Sequence, residues 1–185
     1  MKEIYILTKN PGKILAAESV FSRFGITVKN ISKNYSEIQS LSSIEIAKNM
    51  AIEAAKEFKV AVVREDHSIC LNAFSGMPGP FMSWFDEKMP AEQLLGLLKN
   101  AIDREGYLEL AAAYVRPDGK VKEFVYRIPI FISEEARGSK GNWDKIIILK
   151  EKPTKTIGET SEEENVHIWN KNYENIAKEI LKEDK

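Results

Sequence analysis

Apolar residues occur in short runs separated by polar segments, and this pattern predicts an α/β protein. The runs at 3–8, 26–31 and 60–63 are short and rich in Ile, Val and Leu, as buried strands are. Between these runs, apolar residues recur at the three- and four-residue spacing of helices. The order strand, helix, strand, helix, strand predicts a mixed sheet flanked by helices.

Capping residues predict where the first two helices begin and end. Asn10 is a suitable N-cap, Pro11 fits the first helical position, and Gly25 ends the first helix. Ser42 and Glu45 form a capping box for the second helix, which we expect to run to about residue 58.

The second half of the chain predicts a long antiparallel hairpin. Its strands cover 107–115 and 121–132, and the linking segment RPDGK is rich in turn-forming residues. We expect a helix over 89–103, a further strand at 146–149 and a last helix at 174–181. The sheet is therefore expected to be mixed and elongated.

Composition favours one globular domain over residues 1–185, because 43% of the residues are hydrophobic. The net charge of -1 argues against general binding to nucleic-acid polymers. A single cysteine, Cys70, excludes an intrachain disulfide framework and a cysteine-based zinc site. No signal peptide or long apolar span is present, so we expect an intracellular protein that does not enter a membrane.

The adjacent acids Glu65 and Asp66 are the first candidates for chemistry. They follow the apolar run 60–63, and we expect that strand to stop where the charged residues begin, at Arg64. Two neighbouring carboxylates repel each other, so they need a cation, hydrogen-bond donors or open water. A divalent metal meets that need, although acids at a strand end are often merely solvated. The next residue, His67, is interpreted as a structural or surface group.

A second candidate site lies between the first strand and the first helix. Thr8, Asn10 and Lys13 surround a Pro-Gly pair there, which suits the binding of phosphate by backbone N–H groups and a lysine. A solvated lysine beside an N-cap loop is the alternative. Trp143 and Asp144 belong to a basic, glycine-containing loop whose aromatic ring is either a stacking surface for a base or core filler.

Five motifs together resemble the inosine triphosphate pyrophosphatases, which cut non-standard purine nucleoside triphosphates to the monophosphate and pyrophosphate. They are TKNPGK (8–13), SEIQS (36–40), the long segment 65–85, ARG (136–138) and NWD (142–144). The resemblance covers most of the chain. It implies an elongated mixed sheet in two lobes with a central substrate cleft, a homodimer, and a cytoplasmic location.

The resemblance also implies roles for individual residues. Glu37, which alone would be interpreted as a surface acid, and Glu65 would hold Mg²⁺, while Asp66 would take a proton from the attacking water. The triphosphate would be held by Lys13 with Thr8 and Asn10. Phe81 and Trp143 would flank the base, and Asp144, which follows Trp143 in the NWD motif, would also belong to the substrate-binding residues.

The sequence departs from the family pattern in the segment EENVHIWNKN. Glu164 occupies the position of a phosphate-binding lysine, and no arginine follows His167. A carboxylate there costs binding energy unless Lys145, Lys155 or Lys171 compensates it. Two interpretations follow: a magnesium-dependent pyrophosphatase with altered base selectivity, or a catalytically weak or inactive relative that binds a nucleotide or a protein partner.

Overall fold

The computed structural model describes residues 2–182, which form one mixed sheet and the helices that cover it. The strands are β1 Lys2–Leu7, β2 Ile26–Ile31, β3 Val62–Leu71, β4 Pro78–Gly79, β5 Glu105–Val115, β6 Val121–Ile132 and β7 Ile147–Leu149. The helices are α1 Pro11–Phe21, α2 Ser43–Phe58, α3 Met82–Lys88, α4 Ala91–Leu97, α5 Glu162–Trp169 and α6 Lys171–Lys182. Within these described residues, no helix is long and apolar enough to cross a membrane.

The sheet has the strand order β2-β1-β3-β5-β6-β7, and β4 pairs with β3 outside this path. β1 pairs in parallel with both β2 and β3, whereas β4 and β7 pair antiparallel with β3 and β6. β5 and β6 are neighbours joined by only residues 116–120, a connection too short for parallel strands. The predicted α/β class, the mixed sheet and the long hairpin are confirmed.

The prediction that the third strand stops at Arg64 is wrong, because β3 continues through the charged residues to Leu71. The charged side chains are accommodated within the sheet. The Arg64 guanidinium donates a hydrogen bond to the carbonyl of Leu7 (3.2 Å), and the buried carboxylate of Glu65 accepts hydrogen bonds from α6. A strand tolerates charge where each charged group has a partner.

Three helices differ from the prediction. α4 ends at Leu97 rather than near 103, because beyond the buried Leu98 the segment has no continuous apolar face and Ile102 is fully exposed. The last helix is confirmed with slightly wider bounds, whereas α3 and α5 were not predicted.

The chain divides into two compact units. The first comprises described residues 2–66, 110–126 and 166–182. Successive residues of its strands point to opposite faces of the sheet, as strand geometry requires. Ala112 and Tyr114 pack with α1 and α6, while Ala113 and Val115 pack with α2. This unit therefore has an apolar core on each face of its part of the sheet.

The second unit comprises residues 67–109 and 127–165. The side chain of Asn142 connects its segments, because Nδ2 donates to the carbonyls of Asp86 (2.6 Å) and Met89 (2.8 Å) and Oδ1 accepts from the Ala91 N–H (2.9 Å). The single domain over 1–185 and the substrate cleft between two lobes stay predictions.

We expect Ser42→Ala to lower the free energy of unfolding by about 1 kcal/mol. Ser42 is the N-cap of α2, and its hydroxyl accepts a hydrogen bond from the Glu45 N–H (3.4 Å). Urea unfolding measures the change, with the exposed loop serine Ser36→Ala as the control. Equal stability of the two variants would show that this cap contributes nothing.

Candidate active site

The loop between β1 and α1 is held by its own side chains. Asn10 is the N-cap of α1, and its Oδ1 accepts hydrogen bonds from the N–H groups of Gly12 (2.8 Å) and Lys13 (3.4 Å). The Thr8 hydroxyl accepts from the N–H of Asn10 (3.1 Å). Two of the N–H groups at the helix start are therefore already bonded within the loop. Asn10 and Thr8 fix the loop conformation, and Lys13 follows this loop in the first turn of α1.

Lys13 lies in the first turn of α1, and its ammonium points at β3. Nζ donates a hydrogen bond to the main-chain carbonyl of Glu65 (3.0 Å). Burial lowers the pKa of Lys13, and the negative charges of Glu65, Asp66 and Glu37 oppose that shift. The ammonium of Lys13 thus contacts the main chain of β3, which does not fit the alternative of a solvated lysine.

β3 presents its three charged residues to two faces of the sheet. Val63 lies in the core against α1 and α6, and Val62 lies in the core against α2. Strand alternation places Glu65 on the side of Val63, and Arg64 and Asp66 on the side of Val62. Glu65 and Asp66 are adjacent in sequence, but their side chains lie on opposite faces of the sheet.

Asp66 lies on β3 and is half-buried. Its carboxylate accepts a hydrogen bond from the side chain of Ser43, the first residue of α2. Its Oδ2 is buried and has no hydrogen-bond partner among the described residues. Burial raises the pKa of Asp66, whereas Lys13, the Ser43 hydrogen bond and Arg64 act to lower it. An acceptor left without a donor is costly, and this site gains from a cation or an ordered water.

Glu37 is brought to the same face of β3 as Asp66. Arg64 donates from Nη2 to Oε1 of Glu37 (2.9 Å), and the Glu37 side chain is 54% exposed. Arg64 thus connects the loop 32–42 to β3. The Arg64 side chain is only 15% exposed, so water screens this pair mainly from the side of Glu37.

Glu65 lies on the other face and is only 3% exposed. Oε1 accepts from Nδ2 of Asn172 (3.1 Å), and Oε2 accepts from the Tyr173 hydroxyl (3.3 Å). As a metal ligand together with Glu37, Glu65 would have to leave both donors, and the structure does not bring the two carboxylates to one face. Its metal role stays a prediction.

Asn172 and Tyr173 were missed by the sequence interpretation. They lie on α6, far along the chain from Glu65, and no local motif marks them. A tyrosine on the buried face of a helix is an ordinary core residue, so nothing in the sequence identifies the carboxylate that it contacts.

Trp143 is 2% exposed in the second unit. Its indole N–H donates to the carbonyl of Met89 (2.8 Å), and its main-chain N–H donates to Asp86 (2.9 Å). These contacts favour the core-filling alternative over a stacking surface.

The other two residues proposed for the substrate are Asp144 and Phe81. Burial and the nearby Asp86 raise the pKa of Asp144, whereas Lys140 acts to lower it. Phe81, at the start of α3, is 40% exposed and has an accessible ring.

Glu164 has a local structural role that its position in the family pattern did not predict. Oε2 accepts from the Ser161 N–H (2.7 Å), and the Ser161 hydroxyl accepts from the Glu164 N–H (3.2 Å), which is a capping box at the start of α5. The Ser161 N–H lowers the pKa of Glu164, helped by Lys155 and Lys152. Lys155 lies 3.6 Å from Oε1, so of the three lysines considered it is the one paired with this carboxylate.

Glu164 also lines a pocket of about 620 Å³ in the second unit. The remaining lining residues are Gly138, Ser139, Lys140, Lys155, Gly158, Glu159, Thr160 and Ser161. The pocket therefore carries both lysines and carboxylates, and the charge of Glu164 is balanced within it.

Three comparisons identify proteins similar to this chain. The model of the Ham1 family matches residues 4–172. A dITP/XTP pyrophosphatase of Ignicoccus hospitalis is 34% identical over 163 residues, which are 88% of this chain and 87% of that protein. Inosine triphosphate pyrophosphatase 2 of Trypanosoma cruzi is 30% identical over 90% of this chain and 85% of its own length.

The fold is also found among solved structures. The Ham1 protein of Staphylococcus aureus matches over 100% of both chains with a TM-score of 0.81 and 26% identity. These matches confirm the resemblance inferred from the five motifs. Since the family model covers most of the chain and the relatives match nearly their full length, the chain belongs to the Ham1 family.

Proposed function

We propose that this chain hydrolyses non-standard purine nucleoside triphosphates to the nucleoside monophosphate and pyrophosphate. The observation that carries the proposal is the middle of β3, where Asp66 has a buried carboxylate oxygen without a hydrogen-bond partner among the described residues. The charge of Asp66 acts on Lys13, which the preceding loop holds in place. A carboxylate and an ammonium so arranged suit the activation of a water and the binding of phosphate.

The residues present fit Mg²⁺ as the cofactor. Among residues 2–182 no group of three His, Cys, Asp or Glu side chains is placed to hold a metal. Mg²⁺ does not require such a cage, because it is commonly bound by one or two carboxylates together with substrate phosphates. Asp66 supplies the unpartnered oxygen, and Glu37 lies on the same face of β3. When bound, the ion would neutralise charge on the phosphate oxygens.

The chain's own residues then divide the remaining work. Asp66 takes the proton of the water that attacks the α-phosphorus. Lys13 offsets charge on the triphosphate. Thr8 and Asn10 hold the loop that leads to Lys13.

For recognition of the base we propose Phe81, Trp143 and Asp144. Phe81 has the exposed ring that stacking requires. Trp143 supports the loop from within the core, and Asp144 follows it directly. Direct stacking of a base on Trp143 would require the buried indole to move out of the core.

Trp143→Phe separates these two roles. We expect the loss of the indole hydrogen bond to lower the free energy of unfolding by about 1 kcal/mol. The melting temperature should fall by about 2–4 °C. KM for the nucleotide should stay unchanged if the ring is core filler, and Phe81→Ala serves as the comparison for a stacking loss. A rise in KM for Trp143→Phe without a change in melting temperature would restore the stacking role.

The alternative, a catalytically weak or inactive relative that binds a nucleotide or a protein partner, is not favoured. It depended on the carboxylate of Glu164 and on the missing arginine after His167. The Glu164 carboxylate is paired with Lys155 and with the Ser161 N–H, and relatives over most of the chain are named pyrophosphatases. A homodimer and a cytoplasmic location are further proposals, and both rest on the family resemblance alone.

Pyrophosphate release from a panel of purine and pyrimidine nucleoside triphosphates, with and without Mg²⁺, tests the proposal. Magnesium-dependent release from dITP, ITP or XTP in preference to ATP and GTP is the expected result. Equal release from all nucleotides would mean that base selectivity has been lost, and the absence of release from any nucleotide would refute the proposed activity.

A further inference from the structure

We propose that Asn172 and Tyr173 of α6 are positioning residues for the active site, which act by holding Glu65 so that its main-chain carbonyl orients the Lys13 ammonium toward the triphosphate. The inference rests on the proposed function and assigns to α6 a part in it.

Glu65 is gripped at both carboxylate oxygens by neighbouring residues of one helix. Asn172 donates to Oε1 (3.1 Å) and Tyr173 donates to Oε2 (3.3 Å). The Glu65 carboxylate is buried. Loss of one of its donors would leave a buried oxygen without a hydrogen bond, which costs free energy in this orientation of the side chain. The side chain therefore has one favoured orientation, set by α6.

The two donors are themselves fixed by contacts that do not involve Glu65. Tyr173 is 1% exposed, and its ring lies 5.9 Å from the ring of Phe21 on α1 at an angle of 55°. Asn172 is buried and donates a second hydrogen bond, to the carbonyl of Leu110 on β5 (2.9 Å). α6 thus places its donors with reference to α1 and to the neighbouring strand.

Glu65 transmits this placement to Lys13 in two ways. Its main-chain carbonyl accepts from Lys13 Nζ (3.0 Å), so the peptide that the side chain anchors is the one that receives the ammonium. Its carboxylate is the strongest of the negative charges that act on Lys13. A shift of Glu65 would change both the position of the ammonium and the field around it.

The geometry favours positioning over metal binding for Glu65. Its side chain occupies the face of β3 opposite to Asp66, and both of its oxygens already accept hydrogen bonds. A positioning residue should alter phosphate affinity without altering the metal requirement, and this difference can be measured.

The experiment compares Tyr173→Phe with wild type and with Ile176→Val, a control that removes one buried methylene group from the same helix and no hydrogen bond. Affinity for inorganic triphosphate is measured by calorimetry without metal, and KM, kcat and the half-saturating Mg²⁺ concentration are measured with dITP. We expect Tyr173→Phe to weaken triphosphate binding and raise KM by about tenfold, the size of one lost hydrogen bond to a charged group. We expect kcat to change by less than about threefold and the Mg²⁺ dependence to stay unchanged, because the lost binding is shared by substrate and transition state.

Coupling to Lys13 completes the test. In a Lys13→Met background, Tyr173→Phe should weaken triphosphate binding no further, since its effect passes through the ammonium. An additive effect would overturn the inference, as would unchanged triphosphate affinity in Tyr173→Phe or an equal loss in Ile176→Val. A raised Mg²⁺ requirement in Glu65→Gln would overturn it in favour of a metal ligand.

If Tyr173→Phe does not fold, Asn172→Ala removes the other hydrogen bond to the Glu65 carboxylate. Its triphosphate affinity, KM, kcat and Mg²⁺ dependence are then compared in the same way. Wild type that binds triphosphate but releases no pyrophosphate would refute the proposed activity while the binding comparison still decides the role of α6. Wild type that does not bind triphosphate would overturn the inference.

Discussion

Asp66→Asn is expected to reduce kcat for pyrophosphate release by about 100- to 10,000-fold, the usual contribution of a general base. The amide has the size of the carboxylate but cannot accept the proton of the attacking water. It also provides a weaker ligand for Mg²⁺, which prefers charged oxygen donors. Steady-state kinetics at saturating nucleotide and Mg²⁺ measure the loss.

The same substitution should leave the folded protein at least as stable as wild type at neutral pH. The pKa of Asp66 is raised by burial, so the folded state disfavours the ionised carboxylate relative to the unfolded chain. The cost of that ionisation is absent below the ordinary pKa and is present in full above the raised one, and the neutral amide removes it. A melting temperature equal to or above that of wild type, combined with lost activity, would therefore separate mechanism from folding.

A matched control is Asp118→Asn, in the exposed turn between β5 and β6. It removes the same charge far along the chain from β3, and we expect wild-type turnover. If Asp66→Asn retains wild-type turnover, Asp66 has no part in proton transfer, and the orphaned oxygen has a purely structural origin.

Local chemistry in the sequence was sufficient to predict most of the architecture. The N-caps Asn10 and Ser42 and the turn 116–120 are set by short-range rules, and the structure confirms each of them. The extent of β3 was predicted wrongly because the rule that strands stop at charge takes no account of distant partners. For Glu65 those partners lie on α6, and periodicity in the sequence carries no information about them.

The strand prediction also affected the interpretation of the acids. With a strand that ended at Arg64, Glu65 and Asp66 could act together in a loop. Because the strand continues, Glu65 and Asp66 are successive strand residues and point to opposite faces of the sheet. They therefore lie in different environments. At Glu164 the missed signal was local: Ser161 and Glu164 have the spacing of a capping box, the same spacing that correctly predicted the start of α2.

The second prediction with a large effect concerns Lys13, in the first turn of α1. We expect Lys13→Met to lower kcat/KM by about 100- to 1,000-fold, as the loss of one preorganised group that stabilises developing negative charge does. Met keeps the length and apolar stem of lysine, and burial already lowers the pKa of Lys13, so removing the charge should not unfold the protein. Inhibition by the product pyrophosphate should weaken as well, because the same ammonium would hold it.

Lys9→Met is the control, because Lys9 belongs to the loop before α1 and is exposed. An exposed ammonium is screened by water and salt, and its loss should change kcat/KM by less than about threefold. The contrast between the two lysines separates a specific contact from general positive charge. Equal losses in both variants would mean that the loop attracts the triphosphate by its net charge, and that the hydrogen bond from Lys13 to the Glu65 carbonyl has no part in binding.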